Sequence, residues 1–172
     1  MDEMHPGGAT GGQMLRLVGF RIEDWRFAVR LGQVQTSLMP CEVTRIFHTP
    51  AFVRGIVSLR GTIVCVLDLG TLLGLGGSGS AHRRLLVVSV PGIQAAIPVH
   101  DVFRLPEIPA SRIEPLPASV DPAHRALLEG VINTSGLDGM EGTREETLTL
   151  VDVAALFDSP LLKALRGKGV RP

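Results

Sequence analysis

The chain has no tyrosine, one tryptophan and two cysteines, and each shortage removes a class of protein. Aromatic residues make up 4% of it against 45% hydrophobic residues, so its core must be built from Val, Leu and Ile. An aromatic-lined peptide groove of the usual kind is hard to assemble from such a composition. Cys41 and Cys65 are too few for a disulfide scaffold or a cysteine-spaced zinc site. Cys65 sits inside an apolar strand pattern and reads as a small buried hydrophobe. There is no excess of positive charge: 17 Lys and Arg balance 17 Asp and Glu. A nucleic-acid binder usually carries a basic surplus for the phosphates, so that class is set aside. No apolar run approaches the ~20 residues that span a bilayer. Met1–Gln13 is polar and Gly-rich, without the apolar stretch of a signal peptide. The expectation is a cytoplasmic protein.

Reacting groups are equally scarce. Gly74-Leu75-Gly76-Gly77-Ser78-Gly79 fits the spacing of a dinucleotide-binding turn, but it leads into Arg83-Arg84 and a strand. Such a turn needs a following helix whose N-terminus faces the pyrophosphate, so the segment reads as a linker. None of the five histidines stands at metal-ligand spacing from another His or a Cys. His100-Asp101 is the most tempting acid–base pair, yet neighbouring strand residues face opposite ways, and a surface turn is the simpler reading. Ser58, Ser89 and Ser135 lack a nucleophile elbow. No catalytic residue, metal or cofactor is expected.

What the chain has in abundance is short β-branched runs separated by turns. Leu15–Ile22 and Trp25–Leu31 form a hairpin around Glu23-Asp24, and Leu85–Val90 and Gln94–Val99 form another around Pro91-Gly92. Gly55–Leu59 and Thr62–Asp68 are strands, as are Gly130–Asn133 and Thr147–Val151. Gln33–Leu38 and Val43–Phe47 are shorter extended or mixed segments, and Val102–Leu105 is a strand end. Ala51–Val53 reads as a helical turn behind Pro50. Asp121-Pro122 opens a helix within 118–129, and Val153–Leu165 is an amphipathic helix that Pro160 must break or kink. Residues 1–13 read as a disordered arm, 75–84 as a flexible connector within one domain over 14–165, and 166–172 as a basic tail.

The second half echoes the first. Val34 is matched by Val102, Arg45-Ile46 by Arg112-Ile113, Gly55-Ile56-Val57 by Gly130-Val131-Ile132, and Leu67-Asp68-Leu69 by Val151-Asp152-Val153. The spacing grows from 68 residues at Val34 to 75 at Gly55 and 84 at Asp68. Asp68 and Asp152 each follow a strand and precede a short helix, so both read as N-caps. Two similar units of about five short strands favour small barrels, tandem or intertwined, over one open sheet.

One segment displays a cation. Between Gly55 and Leu75 two apolar strands are broken by Leu59-Arg60-Gly61. Arg60 must face water or a partner, because burying it unpaired is costly. By itself it is a solvated turn arginine, which needs no function.

The same segment carries Thr49-Pro50-Ala51-Phe52, Gly55, Leu59-Arg60-Gly61, Asp68-Leu69 and Leu73-Gly74-Leu75, and in this it resembles the CheW family of chemotaxis coupling proteins. That family carries a pattern like TPxFxxGxxNLRGxxxPxxDLRxxLGL, and fainter similarity runs from Leu15 to about Phe157. The resemblance implies a mainly β fold of two SH3-like five-stranded barrels packed together, with short helices and a C-terminal helix. It implies a non-catalytic adaptor between the cytoplasmic tips of chemoreceptors and the regulatory domain of a CheA-type histidine kinase. Such an adaptor is recruited to membrane-associated receptor arrays without inserting into the membrane. It implies a receptor- or kinase-binding surface from Val34, Thr36, Gly55, Ser58, Arg60, Val99 and Val102, with the Arg60 fork suited to a contact. Several positions depart from the family: Thr36-Ser37 replace Glu-Ile, Ser58 an Asn, Cys65 a Pro, Gly70 an Arg and Asp101 a Gly. These departures point to a divergent chemosensory system. The alternatives are a β-barrel hydrolase, which would need a polar cluster assembled from distant residues, and an SH3-like peptide-binding module outside chemotaxis.

Overall fold

The computed structural model describes residues 12–76, 82–137 and 147–167. Most of the arm, the middle of the connector, the loop over 138–146 and most of the tail lie outside the described residues. The first half runs β1 (Met14–Leu15), β2 (Leu17–Ile22), β3 (Trp25–Arg30), a 3-10 turn (Leu31–Gln33), β4 (Val34–Leu38), β5 (Val53–Leu59), β6 (Thr62–Leu67) and α1 (Leu69–Leu72). The second runs β7 (Arg84–Val90), β8 (Ile93–Val99), β9 (Asp101–Arg104), β10 (Ile108–Pro109), a 3-10 turn (Ala110–Arg112), β11 (Ile113–Glu114), α2 (Pro122–Arg125), β12 (Leu128–Asn133), β13 (Thr147–Val151), α3 (Val153–Asp158) and α4 (Pro160–Gly167).

The fold is mainly β, and its two halves exchange hairpins. One sheet has the order β4-β7-β8-β6-β5; the other has β11-β12-β13-β3-β2-β9, with β1-β10 as a separate pair. The β7–β8 hairpin of the second half thus completes the sheet of the first, and β2–β3 completes the sheet of the second. The two joins are parallel and equivalent. Cys65 lies opposite Ala95 where β6 meets β8, and Phe27 lies opposite Thr149 where β3 meets β13. These partners are related by the same 68- and 84-residue spacings that the sequence shows.

Alternation along the central strands explains the layers. On β7, Leu85 and Val87 face the interior of the five-stranded sheet with Val57, Val64 and Val66. Leu86 and Val88 face the other way, into a larger cluster shared by both sheets with Phe20, Phe27, Ile97, Leu69 and Leu156. Phe20 and Phe27 stack there at 5.5 Å between ring centroids. A third cluster, including Ala28, Ile132, Leu148 and Leu150, fills the six-stranded sheet. Strands buried on both faces read as near-continuous apolar runs, and β7 and β8 do so.

Several local expectations are refined, and some are corrected. Val43–Phe47, expected as an extended or mixed segment, makes a single bridge: Thr44 exchanges two 2.9 Å backbone hydrogen bonds with Ile56. The echo of Thr44 is therefore Glu114, which lies opposite Val131, so the match of Arg45-Ile46 with Arg112-Ile113 is out of register. Ala51–Val53 forms no helix: Val53 N–H donates to Pro50 O at 2.9 Å in a turn that opens β5. The helix within 118–129 is limited to α2, whose N-cap Asp121 accepts from Ala123 N–H. Pro160 divides the C-terminal helix into α3 and α4, with Ser159 between them.

Candidate partner-binding surface

β5 and β6 build the exposed hairpin. Leu59 and Thr62 close it, and Arg60 and Gly61 occupy the two turn positions at φ 49 and 83. Positive φ at both centres is the twist-matched type I′ pattern, and it puts Arg60 at the tip, exposed. Behind the tip the outer face is apolar. Ser58 pairs with Ile63, which is 51% exposed, and Ile56 pairs with Cys65. Cys41, Glu42, Thr44, Ile56, Val57, Ser58 and Ile63 line an open hollow of about 410 Å³. Phe47 is 86% exposed on the chain leading to this hairpin.

The seven sequence-derived positions do not form one surface. Gly55, Ser58 and Arg60 belong to this hairpin at one edge of the five-stranded sheet. Val34 and Thr36 lie on β4 at its other edge, and Val102 on β9, an edge of the six-stranded sheet. Val34 and Val102 both pack, partly buried, on the cluster shared by the sheets. Thr36 is exposed. Val99 is fully buried in the shared cluster, and Gly55 is buried beneath Thr44. Neither offers a side chain to a partner, so any part they take is in shaping the surface. Burial also raises the pKa of the Cys65 thiol, which disfavours its thiolate form.

Gly55 is required where it stands. Its φ is +144, and a Cβ there would lie 2.1 Å from Thr44 O. It follows a β-bulge: Val53 pairs with Leu67 and Gly55 with Val66, leaving Arg54 as the extra residue. The bulge turns Arg54 toward the N-cap of α1. Its Nε and Nη2 reach Asp68 Oδ2 at 2.9 and 2.6 Å, while Asp68 Oδ1 accepts from Thr71 N–H at 3.0 Å. Asp68 is 2% exposed and Arg54 32%, so the start of the hairpin is fastened to the cap of α1 by a partly buried ion pair. The sequence reading identified the cap but missed Arg54; the only signal was its place beside Gly55.

His100 is not at a surface turn. Its Nδ1 accepts from Glu23 N–H at 3.0 Å, and its Nε2 lies 3.6 Å from Glu23 Oε1. Asp101 is exposed on β9 and accepts from Val102 N–H at 2.9 Å. His100 is thus spent on structure, and the adjacent carboxylate serves the backbone. No group of three metal-ligating side chains occurs among the described residues.

A model of the CheW-like domain matches residues 16–161. The chain belongs to the CheW family. Protein FrzA of Myxococcus xanthus is 32% identical over 85% of this chain and 87% of its own. Chemotaxis protein CheW of Rhizobium meliloti is 26% identical over 83% and 87%. The crystal structure of the scaffolding protein TtCheW from Thermoanaerobacter tengcongensis superposes with a TM-score of 0.70 at 26% identity, covering 86% of this chain and 95% of that one. The chain is therefore a CheW-like scaffold or coupling protein of chemosensory systems, from a family of non-catalytic scaffolds. Among the described residues no helix is long and apolar enough to cross a membrane.

Proposed function

We propose that this CheW-like protein couples the cytoplasmic tips of chemoreceptors to the regulatory domain of a CheA-type histidine kinase, without chemistry of its own. The observation that carries this reading is the β5–β6 hairpin: a cation held at a rigid two-residue turn beside an exposed apolar face. The planar fork of Arg60 can pair with a carboxylate or stack on a partner. Ile63, Ile56 and Phe47 supply the apolar area, and Val34, Thr36 and Val102 offer a second contact along the opposite strand edges. Each contact should be weak, about −8 kcal/mol for a micromolar complex. Linkage of many such contacts in an array supplies the strength. Signal then passes because the adaptor favours one state of the kinase. The protein would act in the cytoplasm, brought to the membrane by its receptors. Relatives named FrzA and PilI stand beside those named CheW, which favours a divergent chemosensory system.

Titration against the kinase regulatory domain and against receptor tips tests the reading. Arg60→Asp should weaken at least one of the two complexes tenfold or more, which is about 1.4 kcal/mol. Unchanged affinity for both would remove this face from the mechanism.

A further inference from the structure

We propose that His82 is a proton-sensitive latch at the seam between the two sheets: the neutral ring lets the seam close, and the protonated ring forces it to rearrange. His82 lies just before β7, where three strands converge. Its neighbour Arg83 donates from N–H to Val99 O at 3.1 Å, and His100 N–H donates to Arg21 O at 2.8 Å. The His82 ring meets the His100 ring edge-on, with centroids 5.5 Å apart.

Four charged or titratable groups lie close enough to act on it electrostatically: Arg54 from β5, Asp68 at the cap of α1, His100 between β8 and β9, and Glu23 in the β2–β3 turn. Arg21, from β2, donates its guanidinium to Glu23 O. Arg54 belongs to the five-stranded sheet and Asp68 directly follows its strand β6, whereas Glu23 belongs to the turn of a hairpin in the six-stranded sheet. Both His82 ring nitrogens are buried, and neither has a hydrogen-bond partner among the described residues. A neutral imidazole can tolerate that. An imidazolium brings two N–H donors and a full charge into the same place, beside a guanidinium. It must either draw Asp68 away from Arg54 or swing out of the seam, and either movement undoes contacts between the sheets.

The direction of titration agrees. Burial, then the Arg54 guanidinium, then His100 push the His82 pKa below its ordinary 6.5, against the opposing pull of Asp68 and Glu23. The unfolded chain therefore binds the proton more readily than the folded one. Stability is intact above pH 6.5 and is lost as pH falls below that value toward the folded pKa.

Two measurements on the full chain decide the matter. NMR titration of the histidine rings should give His82 a midpoint below 6.5, with the amides of Glu23, Arg54 and Asp68 shifting at the same midpoint. Urea unfolding between pH 7.5 and 5.5 should show the wild type losing its folded-to-unfolded ratio faster than His82→Gln or His82→Phe. For one proton the excess loss is at most about tenfold per pH unit. A His82 midpoint at or above 6.5, amides that ignore it, or parallel losses in wild type and variants would each overturn the proposal. If His82→Phe fails to fold, His82→Gln and the ring titration of the wild type still give the answer.

Discussion

The two halves of this protein share a bulge and spend it differently. In the first half the residue squeezed out of the ladder is Arg54, between Val53 and Gly55; in the second it is Glu129, between Leu128 and Gly130. Each is followed by a crowded glycine, and each strand pair ends in a capping aspartate. Asp68 N–H donates to Phe52 O at 2.7 Å, and Asp152 N–H to Leu127 O at 3.0 Å, in equivalent places. Asp152 Oδ1 also accepts from Ala155 N–H at 2.9 Å, as Asp68 does from Thr71. The difference is one of charge. Arg54 turns to its aspartate and covers it. Glu129 has the same sign as Asp152 and pairs instead with Arg30, a more exposed partner on β3. A duplicated backbone thus keeps its geometry while one half gains an ion pair to a buried aspartate that ties down the start of the exposed β5–β6 hairpin.

The sharpest way to break this comparison is at the glycines. Gly55→Ala should be the most destabilising single change, by about 3 kcal/mol, because backbone strain and a clash with backbone act together. At Gly130 a Cβ would lie 2.5 Å from Ile113 Cγ2 and 2.6 Å from Glu114 O, with no positive φ to add strain. Gly130→Ala should therefore cost less than Gly55→Ala. Urea midpoints of the two variants check the order; equal losses would mean that φ at Gly55 contributes nothing.

Next come the bulged residues. Arg54→Ala strands a carboxylate that is 2% exposed, and removing one partner of a buried pair is costly. The Arg54 side chain is itself 32% exposed, so water offsets part of the loss, and about 2 kcal/mol is expected. Glu129→Ala breaks a pair whose side chains are 38% and 32% exposed and should cost about 0.5 kcal/mol. The ratio between these losses, measured by denaturant unfolding, tests whether the first-half pair is structural. Smaller still should be the contrast at the caps. Asp152→Asn keeps a capping oxygen and should cost a few tenths of a kcal/mol. Asp68→Asn should cost more, about 1 kcal/mol, because it also removes the charge that Arg54 neutralises.

Much of this pattern was legible in the sequence for a simple reason. Caps and turns are local: an aspartate after a strand, or Arg-Gly between apolar runs, carries its own geometry. The repeat spacings were visible because insertions fell between strands, and they reappear as strand partners in the two parallel joins. Pairing across the halves was not legible. A period of two says which face of β7 is buried but not which strand lies beside it. The same limit hid Val99 in the shared cluster, since inward and outward valines look alike. Arg54 and Asp68 are 14 residues apart, and only a bulge in the register brings them together. His82 lies within the Gly-rich connector read over 75–84, and the charged groups that act on it come from four distant segments.

The smallest expected effect on stability falls on the residue with the largest proposed effect on binding. Arg60 sits at φ 49, a region that Asp enters more readily than most side chains. It is exposed at a turn tip, so Arg60→Asp should change folding stability by less than about 0.5 kcal/mol. The variant therefore separates the hairpin's display from the hairpin's fold, which Arg54→Ala does not, because loss of the Asp68 tie loosens the hairpin as well. If Arg54→Ala and Arg60→Asp weaken partner binding alike while only Arg54→Ala lowers the urea midpoint, the tie serves to hold Arg60 in place. If Arg54→Ala destabilises the fold and leaves binding unchanged, the buried pair serves the body of the protein alone, and the resemblance of the two halves is closer than their charges imply.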